Sequence, residues 1–366
     1  MTRYAGRLAL QQRVLPSYRA PFLDLLASAC DGGMSLFTGL PRSNEGITTA
    51  PQLQNADYKL GQNIHLLKGS LYLCHQRGLI NWLEERKPDA LIVEANPRYL
   101  STPSAVRWMH RRGRPVIGWG LGSPPPSGLL AGFRQTRRLS FLKQFDALIA
   151  YSQRGADEYA GLGFPRHRIF VAHNSVSPPP SFPLPSRSLV FNRKPYILFV
   201  GRLQARKRVD LLMRACAEIE SQPRLVIIGD GPERASLESL AREIYPGAEF
   251  IGTRHGAELK PYFTEADLFV LPGTGGLAVQ QAMGYGLPVV VAQGDGTQDD
   301  LVRKENGWQI PPDDFGALVS TMKEALSDSA HLRKMGEESY RIVKEEINID
   351  KMVEIFVRAL SLTVRK

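Results

Sequence analysis

Short, almost wholly apolar runs punctuate the chain at regular intervals. In the first half they are Ala90–Val93, Pro115–Trp119, Ala147–Ala150 and Ile169–Ala172; in the second, Tyr196–Val200, Leu225–Ile228, Leu268–Leu271 and Pro288–Ala292. Runs of four or five apolar residues are too short for buried helices and lack the alternation of a half-solvated strand. They read as strands buried on both faces of a parallel sheet. Further strands are expected at Arg7–Gln12, Gly33–Phe37 and Glu249–Ile251. Between them, apolar positions at helical spacing predict helices over Phe22–Ala29, Leu71–Glu85, Val106–Arg111, Val209–Ser221, Glu233–Ile244, Glu258–Phe263 and Gly276–Tyr285. A helical tail runs from Phe315 to the C-terminus, with a break near Asn348.

The rhythm stops once and restarts. Ser177–Pro185 carries five prolines in nine residues, a density that sustains neither a helix nor a central strand. The predicted architecture is α/β, with two doubly wound, Rossmann-like domains. Residues 1–180 form the first, with a linker at about 177–190, and residues 181–345 form the second. Residues 346–366 form a C-terminal helix placed to pack back toward the first domain. Ligands of such sheets sit at the carboxyl ends of the strands. Neither half has G-x-G-x-x-G after its first strand, which disfavours a dinucleotide oxidoreductase.

A length of 366 residues suits two domains rather than one core, and the 43% hydrophobic and 22% charged fractions are those of a globular chain. No apolar run approaches the roughly 20 residues needed to span a bilayer. Met1–Val14 lacks an apolar stretch followed by a cleavage site, so a secretory signal is not expected and a cytoplasmic location is. Cys30, Cys74 and Cys216 are widely spaced and read as buried structural thiols rather than a disulfide or zinc framework. The net charge of +10 is uneven: residues 1–180 hold 22 Lys and Arg against 11 Asp and Glu, and the remainder 24 against 25. Such asymmetry suggests an acidic partner for the first half: nucleic acid, an anionic membrane face or a phosphorylated acceptor. The segment Phe133–Lys143, with cationic and apolar sides, and Arg107, Arg111, Arg112 and Arg114 would supply the contact with a membrane face. Nothing resembles a groove-reading or base-stacking pattern, so no nucleic acid is expected.

The chemistry concentrates in three strand-to-helix turns of the second half. In Phe199-Val200-Gly201-Arg202-Leu203-Gln204-Ala205-Arg206-Lys207 a strand ends at Gly201, where backbone can approach a ligand. Arg202 and Lys207 then frame the turn with the two kinds of cation that suit a diphosphate. Ile228-Gly229-Asp230-Gly231 is a second such turn, at Gly229. Leu271-Pro272-Gly273-Thr274-Gly275-Gly276-Leu277 leads into a helix whose first N–H groups favour an anion. His173 and His255 read as structural, and Asp299, Asp300, Asp313 and Asp314 as helix-capping carboxylates rather than metal ligands.

Together these segments resemble glycosyltransferase family four, a retaining family of GT-B fold. The resemblance is strongest over Tyr196–Val302. Upstream it continues through Asp146–Ser152, Ile169–Val176 and the opening Gln12–Arg19. It implies a transfer of sugar from a nucleotide-diphosphate sugar to a hydroxyl acceptor, in polysaccharide, glycolipid or cell-envelope glycan synthesis. It implies Arg202 and Lys207 as the cations on the departing diphosphate, with Gly201, Gly229, Gly273, Thr274, Gly275, Gly276 and Leu277 lining the donor and Gln281 at the ribose. Arg13, Tyr18, Trp119 and Leu121 would stand on the acceptor side, the acceptor being a glycan or lipid-linked glycan. No cofactor and no metal are implied. The chain departs from the family where glutamates usually occupy positions 273 and 281, and where a histidine often stands near Leu121. A nucleotide-sugar epimerase or hydrolase, or a non-catalytic nucleotide-sugar-binding protein, are the alternatives.

Overall fold

The structure is a computed structural model that describes residues 2–43, 45–124, 128, 131–294 and 296–364. The chain divides into two units, residues 1–176 with 349–366, and residues 177–348.

The first unit contains strands β1 (Leu8–Val14), β2 (Met34–Gly39), β3 (Asp57–Leu60), β4 (Gln62–Leu66), β5 (Leu73–Arg77), β6 (Ala90–Glu94), β7 (Val116–Gly120), β8 (Ala147–Ala150) and β9 (Ile169–Val171). Its helices are α1 (Ala20–Ser28), α2 (Leu79–Arg86), α3 (Thr102–His110), α4 (Ala131–Leu142) and α5 (Gln153–Gly161). The main sheet has the order β3-β2-β1-β6-β7-β8-β9, all parallel; β4 and β5 pair separately as an antiparallel hairpin. Period-two geometry sorts its apolar runs onto two faces. Leu8, Leu10, Ile92, Ile117, Trp119 and Ile149 belong to one buried cluster. Ala9, Leu91, Val93, Val116, Leu148 and Ala150 belong to the other.

The second unit contains β10 (Tyr196–Val200), α6 (Val209–Ala217), β11 (Arg224–Ile228), α7 (Arg234–Ile244), β12 (Glu249–Gly252), α8 (Lys260–Glu265), β13 (Leu268–Leu271), α9 (Ala278–Gly284), β14 (Val289–Ala292) and β15 (Gly307–Ile310), followed by α10 (Phe315–Ser327) and α11 (Ser329–Glu345). Its sheet runs β12-β11-β10-β13-β14-β15, again all parallel. The proline-rich stretch lies against this unit. The Tyr340 hydroxyl donates to the Phe182 carbonyl, and Arg187 donates to the carbonyls of Phe263, Ala266, Tyr285 and Gly286.

The last helix, α12 (Ile349–Val364), belongs to the first unit. Phe356 meets Phe22 and Trp119 edge-on, each at 5.0 Å between ring centroids, and Val353, Val357 and Leu360 are wholly buried beside it.

Two expectations are corrected. The helix expected over Leu71–Glu85 starts only at Leu79; the residues before it form β5, whose burial alternates residue by residue as a strand's does. The tail is three helices, because Asp328 caps a new start by accepting from the His331 N–H at 2.9 Å. Strands β3, β4 and β15 and helix α5 were not anticipated. Strands β3 and β4 are exposed or half-exposed throughout, and β15 is half-exposed at Trp308 and Gln309, so none of the three leaves an apolar run.

Candidate functional site

In the second unit the strand order reverses between β10 and β13, so the loops leaving these two strands flank a crevice at the carboxyl end of the sheet. Apolar residues bring β10 up to Gly201, whose N–H donates to the Ile228 carbonyl at 2.9 Å. Leu203, fully buried, donates to Asp230 at the same distance. Between these anchors Arg202 is exposed. The neighbouring turn needs glycine: a Cβ on Gly229, at φ +139°, would stand 2.0 Å from the Gly201 carbonyl oxygen.

Lys207 lies in the next turn and is only 6% exposed. Its Nζ donates to the carbonyls of Thr274 (2.9 Å) and Gly275. Arg206 Nη1 donates to the same Thr274 carbonyl at 3.2 Å, and the Thr274 N–H returns a bond to the Arg206 carbonyl at 3.1 Å. The two turns from β10 and β13 are therefore laced together. Gly273 is the condition for this contact, since a Cβ there would lie 2.1 Å from the Arg206 oxygen. Burial, and then the adjacent Arg206 charge, push the Lys207 ammonium down to about 8. Its partners are neutral carbonyls. A buried cation with no carboxylate of its own is costly unless an anion arrives.

The sequence-derived donor residues thus converge: Gly201, Arg202, Lys207, Gly229, Gly273, Thr274, Gly275, Gly276 and Leu277 all lie in loops at this one end of the sheet. It is the carbonyls of Thr274 and Gly275, rather than N–H groups, that face Lys207. Gln281 is one turn along α9, half-buried, and lines a cavity of about 200 Å³ with Pro180, Phe182, Phe263 and Tyr285. Its neighbour Gln280 donates to the Ile347 carbonyl at 2.7 Å.

In the first unit the order reverses between β1 and β6. Arg13 Nη1 pairs with Glu45 at 2.9 Å, and Arg42 binds the same carboxylate at 3.1 Å. Burial alone would raise Glu45, but these two arginines overcome it and hold the carboxyl below its ordinary range. Glu94, at the end of β6, accepts from the Arg13 N–H at 2.6 Å, and burial pushes its carboxyl up despite that bond. Tyr18 and Leu121 are 42% and 47% exposed, whereas Trp119 is 1% exposed and packs in the core. Trp119 is therefore corrected from an acceptor contact to a support for Arg19, whose guanidinium carbon lies 4.9 Å from its ring centroid. Glu45 and Glu94 went unnoticed in the sequence, and Arg19 and Tyr151, though within Gln12–Arg19 and Asp146–Ser152, were not singled out as site residues, because the strand order sets their surroundings. Cys30, Cys74 and Cys216 are buried thiols, and Asp314 caps α10 by accepting from Ala317 N–H at 2.8 Å.

Residues 194–328 match the family "Glycosyl transferases group 1". A GDP-mannose-dependent alpha-mannosyltransferase of Mycobacterium tuberculosis is 33% identical over 56% of this chain and 52% of its own length. A putative colanic acid biosynthesis glycosyltransferase, WcaL of Escherichia coli K12, is 26% identical over 48% of this chain and 47% of its own. The chain thus spans about half the length of these curated relatives. Among solved structures, HepE of Anabaena in complex with UDP superposes with a TM-score of 0.74 at 16% identity, covering 99% of this chain and 100% of that one. The chain has the GT-B fold, and its residues 194–328 match the glycosyl transferases of group 1.

Proposed function

We propose that this protein is a retaining glycosyltransferase that moves a sugar from a nucleotide-diphosphate donor to a hydroxyl of a glycan or lipid-linked acceptor, in the synthesis of a polysaccharide or cell-envelope glycan. The observation that carries the reading is Lys207, a buried ammonium held by neutral oxygens at the point where the strand order reverses, with Arg206 against it and Arg202 in the same loop. A diphosphate supplies the anion that such a site lacks.

In a front-face transfer the bond between the sugar C1 and the diphosphate oxygen breaks while the acceptor oxygen bonds to C1 on the same face. The acceptor proton passes to the departing phosphate oxygen. Negative charge grows on the leaving group, so Arg202 and Lys207 bind it more tightly as it departs, and two side-chain cations take the place of a metal. Gln281 would take the ribose through its amide.

The test is a thermal-shift panel of UDP, GDP, ADP and dTDP, each alone and as sugar conjugates. GDP-mannose and UDP come first, since relatives and fold neighbours are named for them. A ligand at 100 times its Kd stabilises the native state by about 2.7 kcal/mol, a shift of a few degrees. A response to one base only is expected; none in a folded sample overturns the reading.

The engagement of Lys207 with the Thr274 and Gly275 carbonyls favours a second reading, a protein that binds nucleotide sugar without turnover. Mass analysis of donor and products separates transfer, donor consumption without an acceptor by an epimerase or hydrolase, and binding alone. We further propose that the protein works in the cytoplasm at the inner membrane face. No helix among the described residues is long and apolar enough to cross a bilayer. On α4, however, Phe133 is 63% exposed beside Arg134 and Arg137, and among the described side chains of that helix only Leu142 is buried. Co-sedimentation with anionic vesicles, and not with neutral ones, is the expected result; equal sedimentation with both rejects it.

A further inference from the structure

Arg19 has a burial that no hydrogen bond or ion pair among the described residues explains. It follows β1, at the carboxyl end of the first unit's sheet, and is 4% exposed. Its guanidinium carbon lies 4.9 Å from the Trp119 ring centroid, 5.3 Å from that of Tyr151 and 5.4 Å from that of Tyr18. Among the described residues, nothing accepts a hydrogen bond from the guanidinium or forms an ion pair with it, and Nη1 is sealed from solvent without a partner. The buried Glu94 carboxylate interacts electrostatically with Arg19, but its hydrogen bonds are with the Arg13 N–H and Tyr99 rather than with the guanidinium.

Contacts with ring faces offset part of the loss of water around a cation, yet they satisfy none of the five N–H groups. A buried guanidinium without an acceptor is among the costlier things a fold can hold. It is retained where a ligand completes it. Three strand ends converge on it: β1, which leads to Tyr18 and Arg19; β7, which carries Trp119; and β8, which leads to Tyr151. This is the crevice position of an open parallel sheet, at the β1/β6 reversal.

We infer that Arg19 receives an oxyanion, the carboxylate or phosphate of an acidic sugar, and that the acceptor of this protein is therefore anionic. The guanidinium fork would bond two oxygens of that group, with the three rings excluding water behind it. The term acceptor rests on the proposed glycosyl transfer; the oxyanion site itself does not.

The test uses the full chain and three probes: glucuronate, glucose 6-phosphate and glucose. The wild type should be stabilised saturably by one or both acidic sugars and not by glucose. A response to glucuronate alone assigns a uronic acid, and a response to glucose 6-phosphate alone assigns a sugar phosphate. Arg19→Met keeps the length and apolar stem. It should unfold at or above the wild-type temperature, because it relieves an unpaired charge, and bind the acidic probe about tenfold or more weakly. Arg19→Lys, retaining the charge without the fork, should fall between. A wild type that does not prefer the acidic sugars overturns the inference, as does an Arg19→Met protein that still does. The nucleoside diphosphate response of all three proteins is measured alongside and should be unchanged. Its loss throughout, with the acid response intact, refutes glycosyl transfer and leaves the oxyanion site standing.

Discussion

Lys207 concentrates the energetics of the second unit's site. Its ammonium is pushed from 10.5 to about 8 by burial and by Arg206. Between these values the unfolded chain binds more protons than the native one, so this group's contribution to stability rises as pH rises from about 8 to 10.5. A bound diphosphate favours the charged form, so the sign for binding is opposite. Affinity for UDP or GDP should hold below about pH 8 and fall above it. The fall should vanish in Lys207→Met, as calorimetric titration across pH will show. On the proposed transfer, Arg202→Ala would remove a charge-assisted contact that strengthens as the leaving group departs. A loss of about 3 kcal/mol, or about 10²-fold in kcat, is expected; near-normal turnover removes Arg202 from the mechanism. Gly273 is a different kind of residue. Restoring the glutamate common in similar chains places a Cβ 2.1 Å from the Arg206 oxygen. Gly273→Glu should therefore cost about 1–3 kcal/mol in denaturant unfolding, not recover activity.

At the scale of elements, the buried strands were legible because a strand covered on both faces has to be continuously apolar. Tyr196–Val200 and Leu268–Leu271 stand in the structure where the pattern placed them. Partly exposed elements were not legible. Asp57–Leu60 lines up beside β2 at a sheet edge, held by backbone hydrogen bonds that any sequence can make. Leu73–Arg77 hid inside an apparent helix because a mixed polar segment of five residues fits either period. Helix α12 shows the reverse, an unmistakable helix whose partner the sequence does not name. Its Phe356 is fully buried between Phe22 and Trp119. Phe356→Ala should cost about 3–5 kcal/mol by thermal unfolding, and the loss should register in the first unit's core although the residue lies near the C-terminus.

For the whole molecule, the two units carry separate buried cores and separate strand reversals. Ligands of the two sites should therefore leave separate footprints in hydrogen exchange. A nucleoside diphosphate should slow the amides of 201–208 and 272–277, and an acidic sugar those of 15–19 and 149–152. Protection by either ligand at the other's segments would contradict the assignment of one site to each unit. The charge asymmetry, 22 basic against 11 acidic residues in positions 1–180, belongs to this scale as well. Vesicle binding should weaken steeply with salt, since exposed charges are screened within about 10 Å at 0.1 M.

What the sequence determined by itself was the set of local features: which runs are buried strands, where proline interrupts the rhythm, and which turns gather glycine beside cations. These depend on neighbours along the chain, and so Gly201, Arg202, Lys207 and the 273–277 turn could be read directly. Only the tertiary structure decided what each turn faces. Strand order brought the Thr274 and Gly275 carbonyls to Lys207, and turned Trp119 from a contact residue into the floor beneath Arg19. It also left the Arg19 Nη1 buried with no acceptor among the described residues. The environment of a side chain is set by residues distant in sequence, and no local pattern records which of them the sheet will place beside it.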